Sequence, residues 1–457
     1  MTLIKSISGI RGTIGGKVGE GLTPNDIVQF VASFGFWLKQ KNNQSRKIII
    51  GRDARFSGDI ISQIVSGTLR SMGLDVVDVG LSTTPTVEMA VVAENAIGGI
   101  ILTASHNPME WNALKLLNEK GEFISSKSIS EVLSIANSNA FEYTEINSLG
   151  SYFIKDNALH EHIDAILSLP LVDVETIRSQ NYKVLVDAVN SSGGIAVSHL
   201  LEQLGIESIE LINGEPTGIF AHNPEPLTEN LGELQAKMQA GGFDIGIAVD
   251  PDVDRLVLMC ENGEPFNEEY TLVAVADYIL SKEKGNTVSN LSSTMALKDI
   301  SKKYGVTYTS SAVGEVNVVE QMKATNAIIG GEGNGGIIYP ALHYGRDALV
   351  GIALLLSHLS TSNITLSALK KSYPAYEMFK YKINVSEEIS LETILERIKD
   401  KYQHFNLITI DGIKIEMPEA WVHLRKSNTE AIIRIYAEAR TYEEAKTIAL
   451  EVCDLLA

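Results

Sequence analysis

Two spacings of apolar residues alternate along this chain. Short runs rich in Ile and Val, such as Lys47–Ile50, Asp75–Val79, Gly98–Leu102, Lys183–Asp187 and Phe243–Val249, read as buried strands. Between them lie stretches with apolar residues three or four positions apart, which read as helices. Thr23–Pro24–Asn25–Asp26 is a helix start with Pro24 at the first helical position. The loop Gly51–Gly58 leads into a helix that ends near Gly73, and Gly194–Leu204 reads as another. Strands alternating with helices predict layered α/β domains.

The pattern restarts twice. A second α/β unit follows the Ser/Asn-rich stretch Ser134–Ser148, and a third runs from about Pro265 to Ser362. The end of the chain differs. A hairpin-like Leu407–Glu416 with Asp411–Gly412 at its turn precedes strands Trp421–Arg425 and Ala431–Glu438, and a helix Tyr442–Leu456 closes it. That order predicts a small α+β domain. The first three units are alike only in plan, without the residue-level repeat of a solenoid.

Composition changes the picture in three ways. The chain of 457 residues is too long for one core. A net charge of -19 argues against nucleic acid or an anionic membrane as partner, so any anion site must be a local basic cluster. The two cysteines, Cys260 and Cys453, have no CxxC spacing, so neither a disulfide framework nor a thiolate zinc site is expected. The start MTLIKSISGIRGTIGG lacks the features of a signal peptide, and no apolar run is long enough to span a bilayer. A cytoplasmic protein is expected.

The candidate chemistry sits in loops. Asp250, Asp252 and Asp254 alternate at the end of an apolar strand; in extended backbone such residues point the same way and can converge on one cation. An all-oxygen set favours Mg²⁺, Mn²⁺ or Ca²⁺ over zinc. A solvated acidic turn is the plain alternative. An EF-hand is a poorer one, because Arg255 takes the sixth position, where that loop needs glycine.

Ser105, in Thr103–Ala104–Ser105–His106–Asn107–Pro108, follows another apolar strand, where a turn can present its hydroxyl at the sheet edge. Alone it reads as an ordinary turn serine, and no GxSxG elbow surrounds it. His106 points elsewhere if the backbone here is extended. Arg425–Lys426–Ser427–Asn428–Thr429–Glu430, followed by Arg434, offers guanidiniums, hydroxyls and turn amides suited to a phosphate, or is a solvated surface turn. Arg11 and Arg52, the latter beside Asp53, are weaker basic candidates. In Gly331–Gly336, Glu332 and Asn334 offer hydrogen bonds within a backbone that can approach a ligand closely. No Walker A motif is present.

Taken in order, these motifs resemble the α-D-phosphohexomutase superfamily over almost the whole chain, most closely its phosphoglucosamine mutases. The resemblance implies four domains around a central cleft, three α/β with mixed sheets and a smaller C-terminal α+β domain. Boundaries are expected at 1–150 (phosphoserine loop), 151–259 (metal loop), 260–368 (sugar loop) and 369–457 (phosphate loop). By this resemblance Ser105 is the phosphorylated serine, and Asp250, Asp252 and Asp254 are magnesium ligands, with the phosphoserine adding an oxygen. Arg255 and Lys115 stand by the transferring phosphoryl group, and Lys115 and His106 are both candidates for the general base. Glu332 and Asn334 contact the sugar. Arg425, Ser427, Asn428 and Thr429 belong to the phosphate loop, which Arg434 follows as a further candidate for binding substrate, and Arg11 and Arg52 belong to the basic lining.

The implied reaction interconverts glucosamine 6-phosphate and glucosamine 1-phosphate through a sugar 1,6-bisphosphate, with Mg²⁺. Phosphomannomutase/phosphoglucomutase activity is the alternative. A metal-dependent sugar phosphatase and a non-catalytic sugar-phosphate sensor are alternatives of other classes. The only partner implied is the small phosphosugar, to a monomer or homodimer. Many members read Glu-x-Ser-Gly-His in the sugar loop, whereas this chain reads Glu332–Gly333–Asn334–Gly335–Gly336 and lacks that histidine. The EGNGG form, Val313–Gly314–Glu315 and His343–Tyr344–Gly345–Arg346–Asp347 are what favour glucosamine.

Overall fold

Alternation along Lys47–Arg52 shows how the first sheet is buried. Ile48 and Ile50 enter one core with Ile10, Phe30, Phe34, Val65 and Leu69, while Ile49 enters a second with Val77, Val87, Val91 and Ile101. A strand covered on both faces needs an unbroken apolar run, which this one has. The computed structural model describes residues 2–41, 45–384, 391–426 and 432–455. Its first sheet has seven strands in the order Leu3–Ser6, Gly9–Thr13, Trp111–Leu117, Gly99–Leu102, Lys47–Arg52, Asp75–Leu81, Tyr152–Ile154. The four from Gly99–Leu102 onward are parallel to one another and the others antiparallel, so the sheet is mixed. Helices Pro24–Lys41, Gly58–Ser71 and Ser126–Ser138 supply residues to the first core, and Thr84–Ala93 to the second.

The second sheet runs Leu256–Cys260, Ile245–Val249, Lys183–Asp187, Ser208–Ile212, with only the first pair antiparallel. Val249 pairs with Leu256, so residues 250–255 form the tight connection between two wholly buried strands. The expected strand from Phe243 begins instead at Ile245; Asp244 is outside it and accepts the backbone N–H of Lys183 (2.8 Å). Farther along, Asn286–Asn290 pairs in parallel with both Tyr308–Ser311 and Ala327–Glu332.

The last sheet is antiparallel throughout, in the order Glu377–Asn384, Ile432–Ala439, Trp421–Lys426, Ile413–Glu416, Asn406–Ile408. The helix Tyr442–Cys453, shorter than expected by three residues, packs Ala445, Ala449 and Val452 into the core with Ile413, Val422 and Ile435. A capping box at Thr441 and Glu444 starts it. Gly412 supplies the expected hairpin turn at φ +69°; a Cβ there would lie 2.0 Å from the Leu424 carbonyl oxygen.

The chain divides into two compact units. One contains residues up to Thr271 together with Gly335–Ser367, and the other Leu272–Asn334 together with residues from Ala368 onward. Among the described residues, no helix is long and apolar enough to cross a membrane.

Candidate active site

The first unit places its reactive side chains on loops at the carboxyl ends of parallel strands. Lys47–Arg52 leads into Asp53–Ala54–Arg55, and Gly99–Leu102 into Thr103–Ala104–Ser105. The two loops are laced together. Thr103 Oγ1 donates to Asp53 Oδ2 (2.6 Å) and accepts the Ser105 N–H (2.9 Å). Arg55 is 1% exposed. Its Nε pairs with Asp53 Oδ2 (3.0 Å), and its terminal nitrogens donate to the carbonyls of Pro108 (2.6 Å), Trp111 (2.9 Å), Asn107 (2.6 Å) and Ser105.

Ser105 is thereby held in left-handed backbone, at φ +49°. Its hydroxyl donates to Asp250 Oδ2 (2.8 Å) and lies 3.3 Å from His106 Nδ1. The expectation that His106 points away rests on extended backbone. The left-handed serine removes that premise and brings the imidazole to the same hydroxyl.

The aspartates do converge, but not by strand alternation. Residues 250–254 form a turn: the Val253 N–H donates to the Asp250 carbonyl (3.0 Å), and Val253 itself has φ +60°. Asp250 Oδ1 accepts the N–H groups of Asp254 and Arg255 (both 3.1 Å), so the first carboxylate shapes the loop that presents the others. All three are buried, with one oxygen of each within 4.8 Å of the other two.

Cations crowd this cluster. Lys115 Nζ, from the strand Trp111–Leu117, lies 2.6 Å from Asp252 Oδ2 and 3.4 Å from Asp254 Oδ2. Arg346 donates to Asp254 Oδ2 (2.7 Å) and Thr84 to Asp252 Oδ2 (2.6 Å). Arg255 Nε is 4.0 Å from Asp250 Oδ2 and 3.9 Å from Asp254 Oδ1, and its Nη1 is 3.5 Å from Glu225 Oε1.

These neighbours set the charge states. Burial, with Asp254 and Asp252 beside it, pushes the Asp250 carboxyl well above its usual range. Burial acts the same way on Asp254, but Arg346, Lys115 and Arg255 override it and hold that carboxyl low. Burial would lower Lys115, yet Asp252 and Asp254 hold it protonated. Burial and then Arg255 and Arg11 keep the His106 imidazole neutral.

The donor set fits a hard divalent cation. Among the described residues, Oδ1 of Asp252 and Oδ1 of Asp254 are buried without a hydrogen-bond partner, a costly state that a cation would relieve. Arg11 reaches the same loop, with Nη1 3.4 Å from Asn107 Oδ1, and Arg52, half-buried, donates to the Asp53 carbonyl (3.2 Å).

In the second unit, Glu332 ends the strand Ala327–Glu332 and is buried; its Oε1 accepts from Asn290 Nδ2 (2.8 Å) and the Gly314 N–H (3.0 Å). Asn334 follows, half-buried. Arg425 and Arg434 face each other across neighbouring antiparallel strands, and Arg425 Nε is buried without an acceptor among the described residues. Ser427, Asn428 and Thr429 lie outside the described residues.

Three contributors to the first-unit site were not singled out in the sequence for the roles they take here. Arg346 is 92 residues from Asp254, Thr84 is 168 residues from Asp252, and Arg55 holds the Ser105 loop through backbone carbonyls. For Arg55 the closeness of Asp53 was a usable hint, since a buried arginine needs a carboxylate.

The chain matches four consecutive domains of the phosphoglucomutase/phosphomannomutase family: α/β/α domain I over residues 3–143, II over 160–263, III over 267–376 and the C-terminal domain over 381–455. A relative from Thermococcus kodakarensis named phosphoglucomutase/phosphomannomutase is 34% identical over 441 residues, 95% of each chain. Another from Sulfurisphaera tokodaii, named phosphoglucosamine/phosphogalactosamine mutase, is 32% identical over 451 residues, 97% of each chain. The crystal structure of a phosphoglucomutase/phosphomannomutase family protein from Burkholderia thailandensis shares the fold, with TM-score 0.85 and 24% identity over 99% of this chain and 96% of that one. The chain therefore belongs to the phosphoglucomutase/phosphomannomutase family of the α-D-phosphohexomutases, enzymes that interconvert phosphosugars.

Proposed function

We propose that this mutase interconverts glucosamine 6-phosphate and glucosamine 1-phosphate through phospho-Ser105 and a sugar 1,6-bisphosphate. The observation that carries the reading is the Ser105 hydroxyl, 2.8 Å from Asp250 in a buried carboxylate triad with two unpartnered oxygens. Asp250, Asp252 and Asp254 would hold Mg²⁺, which when bound supplies positive charge against the phosphoserine oxygens. The domains, bounded at 1–150, 151–259, 260–368 and 369–457, each contribute one loop.

The sugar O1 attacks phosphorus, the bond from phosphorus to Ser105 Oγ breaks, and the bond to O1 forms. Lys115 and Arg255, both cationic, stabilise charge on the equatorial oxygens. Lys115, beside Asp252 and Asp254, and His106, whose imidazole lies 3.3 Å from the Ser105 hydroxyl, are the two candidates for the base that takes the proton from O1. After the bisphosphate turns over, O6 returns its phosphoryl group to Ser105. Arg11 and Arg52 belong to the basic lining; Arg425, Ser427, Asn428, Thr429 and Arg434 hold the phosphate that is not transferred. Glu332 and Asn334 contact the sugar.

The glucosamine preference draws support from the EGNGG loop and from the name of the Sulfurisphaera relative. Phosphoglucomutase/phosphomannomutase activity is the second reading, favoured by the name of the Thermococcus relative. Side-by-side kcat/KM for glucosamine, glucose and mannose 6-phosphates with Mg²⁺ separates them, and a higher value for either neutral sugar overturns the glucosamine assignment. Ser105→Ala should abolish turnover with the fold intact, and intact-mass spectrometry should show loss of the phosphoryl adduct. Wild-type turnover in that variant would end the phosphoserine mechanism.

A further inference from the structure

A second cluster of ionisable side chains lies in the first unit and takes no part in the chemistry above. It contains His162, from the helix Ala158–Leu167, together with His343 and Asp347. His162 Nε2 lies 2.9 Å from Asp347 Oδ2, and His343 Nε2 lies 3.3 Å from the same oxygen. All three ligand atoms are within 4.8 Å of one another. Asp347 and His162 are at most 1% exposed.

The outer nitrogens are also accounted for. His162 Nδ1 meets Thr86 Oγ1 (2.9 Å), and His343 Nδ1 meets Glu88 Oε2 (3.3 Å). Asp347 Oδ1 is taken by the N–H groups of Leu349 (2.8 Å) and Val350 (3.3 Å), which leaves Oδ2 for the cluster. Gly345 makes room for Glu88: a Cβ there would fall 1.9 Å from Glu88 Oε2.

Three physical points separate this from an ordinary buried hydrogen-bond network. Two inward imidazole nitrogens share one carboxylate oxygen, whereas each outward nitrogen has its own oxygen partner. That is how metal-binding histidines are oriented, by a hydroxyl, carbonyl or carboxylate on the far nitrogen. A zinc ion ~2.0–2.1 Å from each ligand places tetrahedral ligands ~3.3–3.4 Å apart, and the two imidazole nitrogens lie 2.9 and 3.3 Å from Asp347 Oδ2. Charge also balances. With one imidazolium between two carboxylates the buried group keeps a net negative charge, while a divalent cation with two neutral imidazoles brings it to zero.

We propose that His162 Nε2, His343 Nε2 and Asp347 Oδ2 form a transition-metal site, taking Zn²⁺ or a borderline ion like it, with Thr86 and Glu88 orienting the histidines. Its nitrogen ligands distinguish it from the all-oxygen aspartate triad. The site ties together the helix Thr84–Ala93, the helix Ala158–Leu167 and the start of the helix Ala348–Ser362. Thr84, which grips Asp252, opens the first of these helices, and Arg346, which grips Asp254, directly precedes Asp347, so the metal's role is structural support of the phosphoryl-transfer loops.

The test uses the full chain, stripped with chelator, dialysed into excess Mg²⁺ and titrated with Co²⁺. One equivalent should bind with the ligand-field absorption of a nitrogen–oxygen site, and Zn²⁺ should bleach it. The double variant Asp250→Asn/Asp252→Asn should keep that equivalent. His162→Gln or His343→Gln should lose it, and Glu88→Gln should weaken binding about 10–100-fold. If the histidine variants do not fold, the wild type and the aspartate variant still decide. No Co²⁺ bound by wild type, which would mean a proton-sharing network only, overturns the proposal. So does an equivalent that disappears with the aspartate triad. Both readouts are independent of turnover and of the sugar.

Discussion

Replacing Arg55 with Met keeps most of the side-chain volume and removes every donor. In the wild type both Arg55 and Asp53 side chains are fully buried, and the guanidinium serves one carboxylate and four carbonyls. Stranding the carboxylate alone should cost about 3–5 kcal/mol near neutral pH. At roughly 2–4 °C per kcal/mol for a domain of ~150 residues, the first-domain transition should fall by ~6–20 °C. The loss should depend on pH in a set direction. Burial already raises the Asp53 carboxyl, with Arg55 opposing that rise, so the variant raises it further. A carboxyl raised in the folded state binds more protons folded than unfolded. Its contribution is complete below the unfolded value and is lost as pH climbs through the folded one. The deficit of Arg55→Met should therefore be smallest near pH ~4 and widen towards pH ~8. Calorimetry across that range, with hydrogen exchange over residues 103–111, measures both effects. Adding Asp53→Asn should recover part of the loss, because the two residues are coupled. A melting temperature equal to wild type at neutral pH, or a deficit that narrows as pH rises, would refute the clamp.

Lys115→Met should lower kcat by roughly 10²–10³-fold with a smaller change in KM if, as proposed, its charge acts on the transferring group; steady-state kinetics check this, and an unchanged kcat would remove Lys115 from the mechanism. Thr441→Ala breaks the capping box and should destabilise the C-terminal domain by about 1 kcal/mol without altering kcat. Thermal melts and activity are compared, and a fall in kcat at full stability contradicts the assignment.

The elements were readable because they are buried in regular ways. Lys183–Asp187 was expected to the residue, since both of its faces are covered and its apolar run is unbroken. Pro24 marks its helix start for a reason local to the backbone. The site was readable as a list of residues but not as geometry. The aspartates converge through a turn capped by Asp250, and His106 turns inward because Ser105 is left-handed. The first depends on hydrogen bonds within the turn and the second on Arg55, fifty residues away, and local periodicity is blind to both. Thr84 was missed, and Arg346, read only as part of the His343–Asp347 motif, was not linked to Asp254, for the same reason: a single Arg or Thr looks alike whether it meets solvent or a carboxylate brought in by folding.

Serine and threonine carry the same hydroxyl, yet at position 105 they are not interchangeable. At φ +49° a branched Cβ crowds its own backbone, so threonine would favour leaving the conformation that presents the oxygen to Asp250. Glycine would accept that backbone readily and offer no hydroxyl. The shape of the loop thus restricts which amino acid can present a hydroxyl to Asp250, and so which could serve as the proposed phosphoryl carrier. An exchange that counts as conservative at most surface positions would here separate the reactive atom from its partner while leaving its chemistry unchanged.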